Sequence, residues 1–177
     1  MRLFVGLDLP WDLKHRLTEL CGGITGARWV APENFHVTLR FIGEVDRVQA
    51  EEIDLALAAI RAPPLVLTLA GIGTFAKAGR VITLWTGVDR NDLLDHLHGK
   101  IETALQRAGL EPERRRFNPH VTLARLDIVA EEKVAGFVQA KNLFRSEPVQ
   151  MAHFTLFSSH LHRDGSIYTT EMVYPLA

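Results

Sequence analysis

The chain has 177 residues, enough for one domain with a full core, and 47% of them are apolar. Its 20 Lys and Arg stand against 21 Asp and Glu, leaving a net charge of −1. That balance excludes a global field for nucleic acid or an anionic membrane, so any attraction to phosphate must be local. The single cysteine, Cys21, excludes an internal disulfide and a multi-cysteine zinc site, and a reducing, cytoplasmic home is expected.

Residues 2–8 read as a buried strand. The opening is interrupted by Asp8 and Pro10 and carries no apolar run of signal-peptide length. Nowhere does an uncharged apolar stretch reach the roughly 18 residues of a membrane helix, so no membrane role is expected. Pro10 suits the first turn of a helix in which Leu13, Leu17 and Leu20 recur at helical spacing, ended by Gly22-Gly23. Trp29-Val30 is a short extended piece. Phe35 to Ile42 is the next strand, and Gly43 closes it. Asp46 is placed to cap a helix through about Arg61, which Pro63-Pro64 stops. Leu65 to Phe75 and Arg80 to Val88 read as a strand pair about the turn Lys77-Ala78-Gly79. A helix over Asn91 to Ala108, a strand over Phe117 to Leu126 and a short helix over Ala130 to Ala140 follow. The tail returns to strands, Val149 to Ser158 and Ser166 to Tyr174, joined through His162-Arg163-Asp164-Gly165 with its Asp-Gly hairpin signal. This mixed order predicts an α+β protein with largely antiparallel sheets.

One pattern rises above this. His36-Val37-Thr38-Leu39 recurs unchanged as His120-Val121-Thr122-Leu123, 84 residues on, each copy on a predicted strand followed by a predicted helix. Such spacing predicts two similar lobes of about 88 residues with a cleft between them, the whole chain forming one bilobal domain. Strand alternation puts His36 and Thr38 on one face with Arg40 beside them, and turns Phe35, Val37, Leu39 and Phe41 to the other. In the second copy His120 and Thr122 share a face. An exposed edge-strand histidine is the ordinary explanation of one such tetrapeptide; two copies with the same face pattern point to chemistry. Two imidazoles can serve as general base and general acid on opposite sides of a phosphorus. Two threonine hydroxyls can hold the non-bridging oxygens as charge builds.

With their flanks, His-Val-Thr-Leu-Arg-Phe-Ile-Gly-Glu-Val and Asn-Pro-His-Val-Thr-Leu-Ala-Arg, these motifs resemble the 2H phosphoesterase superfamily. The resemblance is nearest to the bacterial and archaeal RNA 2′,3′-cyclic phosphodiesterases, also called 2′-5′ RNA ligases. Arg2 to Pro10, Arg28-Trp29-Val30, Phe75 with Arg80 to Trp85, and the ending Leu156 to Ser159 with Gly165 to Tyr168 are similar as well. The resemblance implies a bilobal, pseudo-twofold fold with antiparallel sheets, helices outside and a central cleft. It implies metal-free, ATP-independent opening of a 2′,3′-cyclic phosphate at an RNA end to a 2′-phosphomonoester, with 2′-5′ joining as the related transesterification. Carried over by position, His36 and His120 are the proton donor and acceptor, with His120 taken as base and His36 as acid, and Thr38 and Thr122 bind phosphate. Arg125 matches a family arginine five residues after the second His, although strand alternation places it on the opposite face from His120. The same offset in the first half is Phe41, which either stacks a base or fills the core.

Arg107, Arg114, Arg115, Arg116 and Arg125 make a local basic stretch against Glu111 and Glu113. Arg40, Arg114, Arg115 and Arg116 are therefore candidate RNA contacts, steering phosphate without reading sequence. His160 and His162 have the spacing of two ligands on one strand face, which keeps a metal-dependent hydrolase as an alternative. A non-catalytic RNA-end binder is the other. The expected partner is RNA with a 2′,3′-cyclic phosphate end, tRNA halves among the candidates, or a small cyclic nucleotide. No cofactor is expected, and a monomer is.

Overall fold

A computed structural model describes residues 1–177. In chain order the elements are β1 (Arg2–Asp8), α1 (Trp11–Leu20), β2 (Ala27–Trp29), a 3-10 turn (Pro32–Asn34), β3 (His36–Glu44) and α2 (Arg47–Ala58). There follow β4 (Leu65–Leu67), β5 (Leu69–Lys77), β6 (Arg80–Val88), α3 (Asp92–Arg107), β7 (His120–Leu126) and α4 (Glu131–Lys141). The chain ends with β8 (Val149–Met151), β9 (His153–His162) and β10 (Gly165–Pro175). Asp46 caps α2 by accepting the Gln49 N–H at 2.8 Å, and Asn91 caps α3 by accepting that of Leu94 at 3.0 Å. α3 then buries Leu94, Leu97, Ile101 and Leu105, one stripe along its length.

Two four-stranded sheets carry the site. Their orders are β10-β9-β1-β3 and β2-β7-β6-β5, and a small β4-β8 ladder stands beside them. Every pairing is antiparallel. A single apolar cluster reaches from Leu3, Val5 and Leu7 of the first sheet to Leu84, Val121 and Leu123 of the second.

The lobes are not the two halves of the sequence. β2, from the first half, pairs with β7 through Ala27 opposite Leu126, while β9 and β10, from the chain's end, complete the sheet begun by β1. The expected pair of 88-residue units is replaced by two sheets that trade strands. Other boundaries differ as well: α2 ends at Ala58, short of Arg61, and the strand expected over Val149 to Ser158 is split into β8 and β9. Residues 65–75 are two strands, because Leu65–Leu67 turns to pair with Val149–Met151 while the chain from Leu69 onward pairs with β6. Residues 117–119 lie outside β7, where Pro119 has no N–H for a ladder. β9 runs four residues past Ser158 to His162, so Arg163-Asp164 alone makes the turn.

Candidate active site

β3 and β7 carry the repeated motif at matching places in the two sheets. β2 covers only the 124–126 end of β7, and β3 packs against β7. Both strands break their alternation at the leucine of the motif. On β3, Thr38 stands opposite Gly6 and Arg40 opposite Val5, which leaves Leu39 as an extra residue; on β7, Thr122 stands opposite Trp85 and Ala124 opposite Leu84, which leaves Leu123 extra. These are β-bulges, and each shifts the side chains that follow by one face, on β3 as far as Phe41, where a second irregularity leaves Ile42 extra. Leu39 and Arg40 are consequently both buried, as are Leu123 and Ala124.

The bulges correct three expectations. Arg40 does not stand beside His36 and Thr38. It is buried on the core side, where Nη1 donates to both carboxylate oxygens of Glu102 at 3.1 Å and Nη2 to the Glu111 carbonyl at 2.6 Å. Phe41, which alternation turns to the core face and which is open to stacking a base or filling the core, is 55% exposed on the face of His36 and Thr38. Arg125 shares the face of His120 and Thr122, so alternation and the family pattern no longer disagree. Its Nη1 donates to Thr83 Oγ1 at 3.4 Å.

The two imidazoles are held alike. His36 Nδ1 lies 2.6 Å from the Asn34 carbonyl and His120 Nδ1 lies 2.6 Å from the Asn118 carbonyl. A carbonyl only accepts, so each Nδ1 carries the proton and each neutral ring keeps its lone pair on Nε2. His36 Nε2 meets the Thr38 hydroxyl at 2.9 Å. Aromatic rings fix the planes: Phe4 and Tyr168 sit 5.0 and 5.2 Å from His36, and Phe75 and Trp85 sit 5.0 and 5.7 Å from His120. Burial lowers the pKa of both histidines. The smaller electrostatic influences differ: Asp8 favours charge on His36 and His120 opposes it, while Arg125 opposes charge on His120.

Several of these supports were not singled out in the sequence. Asn34 and Asn118 stand two residues before each histidine, so the repeat is longer than the tetrapeptide and reads Asn-x-His-Val-Thr-Leu; that signal was present. Gly6 and Gly73 make room beneath the site. A Cβ on Gly6 would lie 2.8 Å from the Val37 carbonyl oxygen, and one on Gly73 would lie 2.2 Å from the Trp85 ring. Lys14, buried, pairs with Asp8 at 2.9 Å behind His36.

Arg114, Arg115 and Arg116 are exposed in the loop before β7. Arg115 is tied to Glu113 through its backbone N–H and guanidinium, and those bonds hold the Glu113 carboxyl below the usual carboxylate range. His160 and His162 are exposed near the β9–β10 turn, and no three His, Cys, Asp or Glu side chains cluster in a way that could hold a metal ion.

Two fixed imidazoles with hydroxyls on the same face and one arginine can move protons on either side of an anionic centre. The family model described as LigT like Phosphoesterase matches residues 7–83 and 87–168, one copy of the motif in each segment. This chain belongs to that phosphoesterase family. It is 36% identical over 149 residues to an RNA 2′,3′-cyclic phosphodiesterase of Aeropyrum pernix, covering 80% of this chain and 81% of that one. A protein of the same description from Thermotoga maritima is 31% identical, covering 95% and 91%. Among solved structures, E. coli LigT complexed with 3′-AMP superimposes with a TM-score of 0.78 at 25% identity, covering 99% and 97%. A crystal structure described as a phosphoesterase gives 0.81 at 26% identity, with 99% and 97% covered. The α+β, bilobal family fold is therefore the fold of this chain. No helix is long and apolar enough to cross a membrane.

Proposed function

We propose that this LigT-like phosphoesterase hydrolyses the 2′,3′-cyclic phosphate at an RNA end to a 2′-phosphomonoester. The observation that carries the reading is the pair of imidazoles, each fixed by a carbonyl two residues before it and each sharing a face with a threonine. The descriptions of the Aeropyrum pernix and Thermotoga maritima relatives support the substrate class. His120 is the base, because its Nε2 has no protein partner and Arg125 disfavours its charged form. It takes a proton from water as the water oxygen bonds to phosphorus. The bond from phosphorus to O3′ breaks, and His36 gives its Nε2 proton to that oxygen. Asp8 supports the charged state this requires of His36. Thr38, Thr122 and Arg125 hold the non-bridging oxygens. A 5′-hydroxyl in place of water would give a 2′-5′ linkage by the same steps.

Phe41 offers an exposed ring on which the terminal base stacks, and Arg114 and Arg116 meet phosphates further along the strand. Any RNA with a cyclic end fits such contacts, tRNA halves and small cyclic nucleotides included, since none of them reads sequence. A reducing compartment such as the cytoplasm suits Cys21, whose thiol burial pushes up to about 11.

The test is product analysis on an oligonucleotide ending in a 2′,3′-cyclic phosphate. A 2′-phosphate product in the presence of excess chelator is expected, falling roughly 10²–10⁴-fold in His36→Ala and in His120→Ala. Exclusive 3′-phosphate, or wild-type rates in both variants, would overturn the proposal.

A further inference from the structure

β9 and β10 outrun their sheet. The ladder between β1 and β9 stops at Leu3 opposite Ser158, yet β9 continues to His162 and β10 begins at Gly165. The overhanging hairpin has no strand beside it, and it curves back over the cleft face of β1 and β3. Tyr168 lies 5.0 Å from Phe4 and stands edge-on to His36 at 89°. One side-chain hydrogen bond ties residues 159–168 to anything outside β9 and β10. It runs from Asn34 Nδ2 to the Ser166 carbonyl at 2.8 Å.

Asn34 thus holds two things at once. Its carbonyl fixes the His36 ring and its side-chain amide holds the hairpin that covers that ring. Leu161 pairs with Ser166 and Tyr168 with Ser159, so Leu161 and Tyr168 share one face of the hairpin, the face turned to the cleft. Leu161 is 85% exposed there. The second motif has no such clasp. Asn118 holds His120 through its carbonyl alone, and the ring is walled by Phe75 and Trp85 of neighbouring strands.

We propose that Asn34 is a positioning residue that clasps the β9–β10 hairpin over His36, making Tyr168 and Leu161 the wall that receives the nucleoside. Its nucleoside part rests on the functional reading above; the clasp itself does not. The charged and titratable groups that face the His36 ring are Asp8 from β1, Lys14 from α1, His120 from β7 and Tyr168 from β10. Of these, removing the clasp moves only Tyr168.

The experiment is amide hydrogen exchange and imidazole titration by NMR on the substrate-free protein, with Asn34→Ala and the nearly isosteric Asn34→Asp. Losing one partly buried hydrogen bond should speed exchange across residues 159–168 about fivefold in both variants. In Asn34→Ala the His36 titration should move up toward the ordinary histidine value while that of His120 stays in place. With 2′,3′-cyclic AMP, KM should rise several-fold in Asn34→Asp, and the same rise should appear in Leu161→Ala. Unchanged exchange in Asn34→Asp, an unmoved His36 titration in Asn34→Ala, or an unchanged KM would each overturn the proposal. A wild-type protein that opens no cyclic phosphate would strike the functional reading alone, because exchange and titration need no turnover.

Discussion

Replacing Arg40 by methionine separates two roles that the same residue was open to. As an RNA contact, Arg40 would sit in solvent; removing it would leave stability unchanged and flatten the salt dependence of RNA binding. Instead it is 8% exposed, and its guanidinium joins three separated pieces of chain: β3, Glu102 on α3 and the loop carbonyl of Glu111. Glu102 is itself largely enclosed. With Arg40 gone its carboxylate would keep only the Glu113 N–H at 3.4 Å and His98 at 3.9 Å, neither a replacement for a two-pronged ion pair. Stranding a buried charge in this way costs about 3–5 kcal/mol. For a chain of this length that is roughly 10 °C of melting temperature.

Urea unfolding of Arg40→Met, Glu102→Gln and the double variant measures this. Once the carboxylate is neutral, losing the guanidinium should matter far less, so the double variant should recover about 2 kcal/mol relative to the sum of the singles. Folded Arg40→Met should bind RNA with the wild-type salt slope. An Arg40→Met protein within about 1 kcal/mol of wild type, or a double variant that loses the full sum, would refute the strut.

Both histidines of the proposed acid–base pair have pKa values lowered by burial, and kcat/KM reports the free enzyme, so both limbs of its bell should fall below the ordinary histidine value of about 6.5. As pH rises through that range the proton needed for donation is lost; as it falls, the base is blocked. A bound phosphate anion favours imidazolium, so the kcat profile should sit higher, and a kcat/KM that climbs to pH 9 would contradict this. Gly73→Ala should drive the Trp85 indole from its place beside His120, costing about 1–3 kcal/mol of stability and lowering kcat, whereas Gly99→Ala, with open space on α3, should stabilise by about 1 kcal/mol. Paired denaturation and rate measurements check both. Arg125→Ala should lower kcat/KM on every cyclic phosphate alike. Phe41→Ala should weaken binding by about 1–3 kcal/mol only for substrates that carry a base to stack, which comparison of nucleotide with a base-free cyclic phosphate tests.

The strands and helices that frame the site were legible because their periodicity is strong: β6 was placed at its observed ends, and α3 to within one residue. The motif faces were legible as far as Thr38 and Thr122 and misread beyond them. A bulge adds one residue without requiring glycine or proline, so nothing in Leu39-Arg40 announces it. Leu123-Ala124 does carry a trace, two adjacent apolar residues in a strand that otherwise alternates. Arg40 hides the same trace in the first copy, because a buried arginine looks like a surface one until its partner is known. Glu102 is 62 residues away on α3, and no local pattern links the two. The strand exchange was invisible for a related reason. β2 has three residues, too few for a periodic signal, and its partner is fixed by tertiary packing alone.

The two motif strands share their bulge and their carbonyl clamp but not their neighbouring side chains, and the proposed reaction draws on both facts. Matching bulges put His36 with Phe41 and His120 with Arg125 at the same offset, and the Asn34 and Asn118 carbonyls leave both Nε2 atoms available. In the proposed reaction such a likeness would set one imidazole on each side of a phosphorus, as in-line displacement demands. A fully symmetric site would also give the two rings the same proton affinity, and neither would be preferred as donor. Burial lowers both, but beyond it the surroundings diverge. Asp8 stands opposite His36 on the neighbouring strand, where the other sheet has Gly87 opposite His120, and Arg125 stands near His120, where the first sheet has Phe41. The Asp8 carboxylate favours charge on His36, against Lys14 and His120, while the Arg125 guanidinium opposes charge on His120 with no carboxylate set against it. In the proposed mechanism the repeat supplies the geometry of displacement, and the residues that differ between its two copies distinguish the donor from the base.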